Sequence, residues 1–133
     1  MSVEEWKPVQ KITIDLAKLR QYVAIASNFD DSNVAAALPV ENISADSFLM
    51  SAAAADWAQA DELNSDDISN LIRFFTLAEM QLPGWEAGKS SPVIYLFKLL
   101  RKKTDVDAEA LKALRSWIKT NSDNRYLPNG AVI

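Results

Sequence analysis

The sequence contains no histidine and no cysteine. Without an imidazole, a Ser-His-Asp triad, a phosphotransfer histidine and the Glu-x-x-His metal sites of helical bundles are all excluded. Without a thiol, disulfides, cysteine nucleophiles and zinc–thiolate sites are excluded as well. The acidic pairs, such as Asp66-Asp67, do not lie in the glycine-containing twelve-residue loop that helical calcium sites use. We therefore predict a protein that is not an enzyme and that has no metal site and no cofactor.

Long apolar runs are also lacking. The longest falls far short of the ~20 residues that cross a membrane. The first ten residues, MSVEEWKPVQ, contain two acids and no apolar core of the kind found in secretory signals. The absence of cysteine fits a reducing compartment. We therefore expect a soluble, cytoplasmic protein that does not associate with a membrane.

The residues that are present suffice for one hydrophobic core. Of the 133 residues, 49% are hydrophobic, and four Trp and five Phe supply large side chains that can anchor the packing. The length is that of one ordinary domain. We predict a single helical domain over residues 1–133, with an N-terminal arm at 1–8 and a C-terminal loop or tail at 120–133.

Apolar residues recur at steps of three and four through much of the chain, which is typical of amphipathic helices. The first such stripe predicts a helix from about residue 9 to 28. Residues 34–38 are predicted to form a short helical turn that Pro39 stops. Ser44 is then predicted to cap an alanine-rich helix over about 45–60, because alanine is the best helix former.

Two further helices have clear start and stop signals. Asn64 is followed by acids in the first turn, where they meet the positive end of the helix dipole. This third helix is predicted to end at Leu82, because Pro83-Gly84 cannot continue it. The last helix is predicted to begin after Asp105 or Asp107, either of which can cap it.

The most apolar stretch is SPVIYLFKLLRKK, residues 91–103, with eight apolar residues between positions 92 and 100. Ser91 or Ser90 suits a cap, and Pro92 suits the first helical position. A strand is the alternative, since β-branched and aromatic residues favour strands, but no second segment alternates as a partner strand would. We therefore predict an all-α protein: a single compact bundle of about five helices, with helix 92–103 central and covered on nearly all sides.

The loop between the third and the central helix contains GWEAGKS, residues 84–90, which ends like a phosphate-binding P-loop. In the true motif, four residues separate the first glycine from the Gly-Lys-Ser, and the loop follows a strand. Here only three residues separate Gly84 from Gly88, and the loop follows a predicted helix. The loop is therefore predicted to connect helices, with Trp85 closing the end of the core. A weaker hypothesis places an anion near Lys89, Ser90 and Ser91, at the start of the next helix.

Charge is unevenly distributed along the chain. Residues 1–88 carry five basic and fourteen acidic side chains, a net charge of −9, and residues 89–133 carry nine basic and four acidic side chains, a net charge of +5. The basic side chains on the last two helices form a candidate patch that consists of Lys98, Arg101, Lys102, Lys103, Lys112, Arg115 and Lys119. Such a patch can contact nucleic-acid phosphates, but aromatic residues do not alternate with the charges, and cations at helix ends also complement the dipole.

The tail segment at 124–130, NRYLPNG, combines Arg125 and Tyr126 with a turn. Arg and Tyr are frequent binding hot spots, and loops often carry function. The simpler interpretation is that Tyr126 and Leu127 hold the chain end against the bundle.

These observations favour a small helical protein that acts as a protein–protein interaction or adaptor domain, with another protein or a second copy of itself as the partner. Two alternatives stay open. One is nucleic-acid association through the basic C-terminal half. The other is a small-ligand or anion site formed by the 84–91 loop and the 124–130 tail, with Trp85, Lys89, Ser90, Ser91, Arg125 and Tyr126 as its residues.

Overall fold

The computed structural model describes residues 14, 16–30, 32–51, 54–82, 85 and 91–121. The predicted all-α bundle is confirmed, because these residues form six α-helices and no β-strand. The helices are α1 (Leu16–Ala26), α2 (Val40–Ala45), α3 (Ala54–Trp57), α4 (Ser65–Gln81), α5 (Pro92–Arg101) and α6 (Ala108–Asn121). Three short 3₁₀ helices complete the described elements: Val34–Ala37, Ser47–Ser51 and Ala58–Glu62. No helix in these ranges is both long and apolar enough to cross a bilayer.

Helices α4 and α5 pack against each other in the middle of the bundle. Helix α5 also packs against α3 and the 3₁₀ helix Ala58–Glu62, while α4 also packs against α1, α6 and the 3₁₀ helix Val34–Ala37. Ten of the seventeen residues of α4 and six of the ten residues of α5 are buried. The predicted helix at 92–103 is therefore confirmed as central, ends at Arg101, and shares the centre with α4.

An aromatic cluster joins α1, α3 and α4 around this centre. Phe74 and Phe75 on α4 are both fully buried, with ring centroids 5.4 Å apart. The Tyr22 ring lies 5.8 Å from Phe75, the Trp57 ring lies 5.6 Å from Phe75, and the Phe29 ring lies 5.5 Å from Phe74. Such pairs contribute about 0.5–1.5 kcal/mol each beyond their area burial, so the cluster fixes how three helices meet.

The predicted helix starts are confirmed at three places. The Asn64 side chain accepts a hydrogen bond from the Asp67 N–H at 2.8 Å, and the Ser91 hydroxyl accepts one from the Val93 N–H at 3.0 Å. Of the two candidates for the last helix, Asp107 is the cap. Each cap satisfies a backbone donor that the helix itself cannot satisfy, which stabilises it by about 1 kcal/mol.

The predicted helix over 45–60 with Ser44 as its cap is wrong. Ser44 lies inside α2, which begins directly after Pro39 and ends at Ala45. The chain then continues as short helical pieces, because Asp46 leaves the helical conformation (φ −100°, ψ 5°) while its carboxylate is drawn into the bundle. Its partners there include Tyr22 and Lys18 on α1, so tertiary hydrogen bonds override the local preference for one long helix.

The central helix is less completely covered than predicted. Lys98 and Arg101 are exposed, and Tyr95 and Leu99 are only half-buried. The side of α5 that carries Tyr95 and Leu99 therefore faces an open groove rather than another helix. Thr120 and Asn121, predicted as the start of the C-terminal tail, belong instead to α6. The arm at 1–8 and the rest of the predicted tail, residues 122–133, lie outside the described residues.

Candidate functional site

Two of the six residues in the predicted anion or interaction site are described, and both are bound within the core. The Trp85 side chain is fully buried, and its indole Nε1–H donates to the backbone oxygen of Ile43 at 2.7 Å. The Ser91 hydroxyl is also buried and donates to the carboxylate of Glu79. The protein's own carboxylate therefore lies at the start of α5, where the sequence predicted an anion.

The other four residues of that predicted site lie outside the described residues: Lys89, Ser90, Arg125 and Tyr126. Their proximity to one another stays a prediction.

Parts of the predicted basic patch are tied to the protein itself. The Lys103 ammonium donates to the backbone oxygen of Asp61 at 2.7 Å and lies 3.6 Å from its carboxylate. The guanidinium carbons of Arg101 and Arg115 lie 5.8 and 5.3 Å from the centroid of the Phe97 ring. Cation–π contacts of this kind contribute about 0.5–1 kcal/mol at exposed sites. The patch therefore serves packing at three positions, while Lys112 and Lys119 are exposed on α6.

The two remaining cations of the patch, Lys98 and Lys102, lie at an open groove, which we call the α5 groove. It has a volume of about 240 Å³ and a lining that is mostly apolar, and its residues are Trp57, Ala58, Tyr95, Lys98, Leu99 and Lys102. Tyr95, Lys98 and Leu99 on α5 have, together with its C-cap Lys102, the spacing of one helical face. The groove therefore offers an apolar surface with two ammonium groups on one side.

Three side chains that line the α5 groove, Lys98, Lys102 and Trp57, have N–H donors without a hydrogen-bond acceptor among the described residues. Neither Lys98 nor Lys102 makes a hydrogen bond or ion pair with any residue that the structure describes. The Nε1–H of Trp57 is buried and has no acceptor in the described ranges, although the indole is part of the groove lining. A buried donor without an acceptor costs about 1–3 kcal/mol and is rare in native proteins. The lining of the groove therefore includes three residues whose N–H donors have no acceptor in the described part of the chain.

A second, more polar groove of about 380 Å³ lies between α4 and α6. One wall is a polar face of α4 and the other is an apolar wall from α5, α6 and the loop between them, with the lining residues Asp66, Ser69, Asn70, Arg73, Leu100, Val106, Ala110 and Leu114. Both signs of charge are present here, at Asp66 and Arg73. This second groove therefore does not select a charge as clearly as the α5 groove does.

The buried polar cluster around Asp46 differs from the α5 groove because its donors share a carboxylate acceptor within the protein. Its carboxylate accepts from the Tyr22 hydroxyl at 2.6 Å, the Asn42 amide at 2.9 Å and the Lys18 ammonium at 3.0 Å. Burial would raise the pKa of Asp46, but hydrogen bonds from Tyr22, Asn42 and Lys18 and the charge of Lys18 lower the pKa below its ordinary value. Burial, followed by the hydrogen bond and charge of Asp46, raises the pKa of Tyr22. The cluster therefore holds α1 against the C-terminal end of α2.

No group of three or more acidic side chains comes together among the described residues as a metal site would require. None of the protein-family models, curated proteins or solved structures compared with this chain matches it. The two grooves are the surfaces of the described residues on which a function can be based.

Sequence reasoning found the two lysines of the α5 groove but did not recognise the groove. Its visible signal was the stripe Tyr95, Lys98, Leu99 and Lys102, in which cations alternate with half-buried apolar residues at helical spacing. The opposite wall, formed by Trp57 and Ala58, is about forty residues earlier in the chain. Only the packing of α3 against α5 brings the two walls together.

Proposed function

We propose that this protein is a cytoplasmic, non-catalytic interaction or adaptor domain that binds an acidic segment of a partner protein in the α5 groove. The observation that carries the proposal is the pairing of an apolar floor with two ammonium groups that have no partner in the described part of the chain. Complementary charge brings partners together and excludes wrong ones, while apolar contact supplies most of the affinity.

The size of the α5 groove favours a protein segment over a cofactor. Small-molecule sites usually enclose about 300–1,000 Å³, and this groove is smaller, at about 240 Å³, and open to solvent. That space suits one apolar side chain of a partner. Carboxylates beside that side chain would then lie near Lys98 and Lys102.

The same geometry gives less support to nucleic-acid binding. Phosphate contacts need side chains that can reach out to a backbone, but Lys103, Arg101 and Arg115 are drawn toward Asp61 and Phe97. The exposed cations that remain are distributed over two helices. An acidic protein segment needs only the two lysines of the groove.

Labelled peptides test this function directly. We would measure fluorescence anisotropy at two salt concentrations for peptides in which one Leu is flanked by Glu, by Gly or by Lys. We expect the Glu-flanked peptide to bind most tightly, with an affinity that falls as salt rises. A labelled DNA and a labelled RNA oligonucleotide serve as competing probes, and tighter binding of either would favour the nucleic-acid alternative.

Matched charge reversals locate the binding site. The double variant Lys98→Glu/Lys102→Glu should weaken binding of the Glu-flanked peptide about tenfold, because it replaces two attractions by two repulsions. The control Lys112→Glu/Lys119→Glu changes the net charge equally at exposed positions that line neither groove. The proposal is wrong if both double variants weaken binding equally, or if no acidic peptide binds.

A further inference from the structure

The polar side chains of the second groove, which we call the α4–α6 groove, have no partner among the described residues. They follow one face of α4 at steps of three and four, at Asp66, Ser69, Asn70 and Arg73. None of these four side chains makes a hydrogen bond or an ion pair within the described ranges. Asp67 is the one other residue from 65 to 79 that is not buried. The accessible face of a mostly buried helix therefore lines this groove with polar groups that the protein itself does not use.

The α4–α6 groove has a carboxylate at one end and a guanidinium toward the other. Asp66 and Arg73 are seven residues apart, which is two turns and about 10 Å along the helix axis. A second carboxylate, that of Asp105, lies at the Asp66 end, where it accepts from the hydroxyl of Ser65. The helix dipole accounts for an acid in the first turn of α4 but not for Arg73 in the middle of the helix. The two ends therefore attract groups of opposite charge.

The opposite wall of the α4–α6 groove is apolar and comes from α5, α6 and the loop between them, at Leu100, Val106, Ala110 and Leu114. The volume of about 380 Å³ lies within the range of about 300–1,000 Å³ that small-molecule sites enclose, unlike that of the α5 groove. The hydrogen bond from Ser65 to Asp105 joins α4 to the loop before α6, so it holds the two walls together in the unbound protein. A site that is already formed loses little conformational freedom on binding.

A free peptide of three residues has the complementary charges at the required distance. An extended chain spans about 3.3–3.6 Å per residue, so the terminal ammonium and the terminal carboxylate of a tripeptide are about 10 Å apart. A single amino acid carries both groups on one Cα atom and cannot reach both ends of the groove. Ser69 and Asn70, which lie between the two charges, supply donors and acceptors for the peptide groups.

We propose that the α4–α6 groove binds free peptides of about three residues that carry an apolar side chain. The ammonium of the peptide lies at Asp66, and its carboxylate accepts from the guanidinium of Arg73, whose planar fork matches a carboxylate. The apolar side chain packs on Leu100 and Leu114. This site is separate from the α5 groove, so the inference goes beyond the proposed function and does not depend on it.

Isothermal titration calorimetry with short peptides tests the ligand class. Three tripeptides carry one Leu at the first, second or third position and Ala elsewhere, and the tightest binder is then prepared with its N-terminus acetylated, its C-terminus amidated, or both. We expect each single block to weaken binding at least tenfold, and free leucine to bind at least tenfold more weakly than the tripeptide. Equal affinity of the doubly blocked peptide would overturn recognition of the two charged ends.

Matched variants locate the two charges. Arg73→Gln should weaken the free tripeptide about tenfold and change the affinity of the amidated peptide by less than twofold, because that peptide has no carboxylate to lose. Asp66→Asn should act in the same way on the free and the acetylated peptide. A general disturbance of the fold would weaken both members of each pair equally, and that result would contradict the assignment. Lys112→Gln removes one positive charge at an exposed position outside both grooves and should have no effect.

The α5 groove variant separates this inference from the proposed function. Lys98→Glu/Lys102→Glu should leave the affinity for the tripeptide unchanged within twofold. If that variant abolishes tripeptide binding and Arg73→Gln does not, the peptide binds in the α5 groove and the inference is wrong. If none of the tripeptides binds to the wild-type protein, the inference is wrong whether or not the Glu-flanked peptide binds.

Discussion

The Asp46 cluster and the α5 groove contain similar donors, but among the described residues only the cluster contains a carboxylate that accepts from them. At the cluster, an ammonium group, a hydroxyl and an amide surround one carboxylate. At the groove, two ammonium groups and an indole N–H have no carboxylate among the described residues. We infer that donors whose acceptor lies within the protein stabilise the fold, whereas donors without such an acceptor are available to a ligand.

The largest expected effect comes from removing the carboxylate of the Asp46 cluster. Asp46→Ala removes one acceptor from Lys18, Tyr22 and Asn42, and the buried Tyr22 hydroxyl loses the carboxylate it donates to. We expect the free energy of unfolding to fall by about 2–4 kcal/mol, measured by urea denaturation with a linear extrapolation.

The groove lysines provide the matched control for that variant. Because Lys98 and Lys102 have no partner in the described part of the chain, Lys98→Gln and Lys102→Gln should change stability by less than about 0.5 kcal/mol. A large loss in these variants, or a neutral result for Asp46→Ala, would contradict the assignment of structural and binding roles.

A smaller effect separates the two buried tryptophans. Trp85→Phe and Trp57→Phe remove the same atoms, but only the first breaks a hydrogen bond and leaves the Ile43 oxygen unpaired. We expect Trp85→Phe to be more destabilising by about 1–2 kcal/mol. Thermal and urea unfolding of both variants measure the difference. Equal losses would show that the Trp57 N–H has an acceptor in the folded protein.

The smallest expected effect is the pH dependence of stability that the Asp46 carboxylate contributes. The folded-state pKa of Asp46 is lowered, so its contribution is fully present above the ordinary carboxyl pKa and is lost as pH falls through the lowered folded-state value. Stability should therefore decline in that acidic range. The curve for Asp46→Asn should be flatter there, and an identical decline in both proteins would assign the titration to other carboxylates.

Local signals in the sequence predicted the helices where local contacts determine them. The caps at Asn64, Ser91 and Asp107 are hydrogen bonds between residues two or three positions apart, and all three were predicted. The helix over 45–60 was predicted wrongly, because the residues that hold Asp46 include Tyr22 and Lys18, which are 24 and 28 positions away. No local pattern carries that information.

The candidate site shows the same limit. The stripe on α5 is visible in the sequence, but its open face is not, because whether Leu99 meets a neighbouring helix or solvent depends on how the whole bundle packs. The unmatched indole is likewise a tertiary property. Trp57 and Trp85 are the same residue type, and only their surroundings distinguish them.

The contact between Lys103 and Asp61 has a consequence for affinity. Lys103 follows the Lys102 C-cap of α5, so its contact with Asp61 ties together the two elements that supply Lys102 and Ala58 to the groove lining. A cleft whose width is already set loses little conformational freedom when it is filled. If a short acidic segment binds in this groove, as proposed, it can therefore retain much of its interaction energy as affinity.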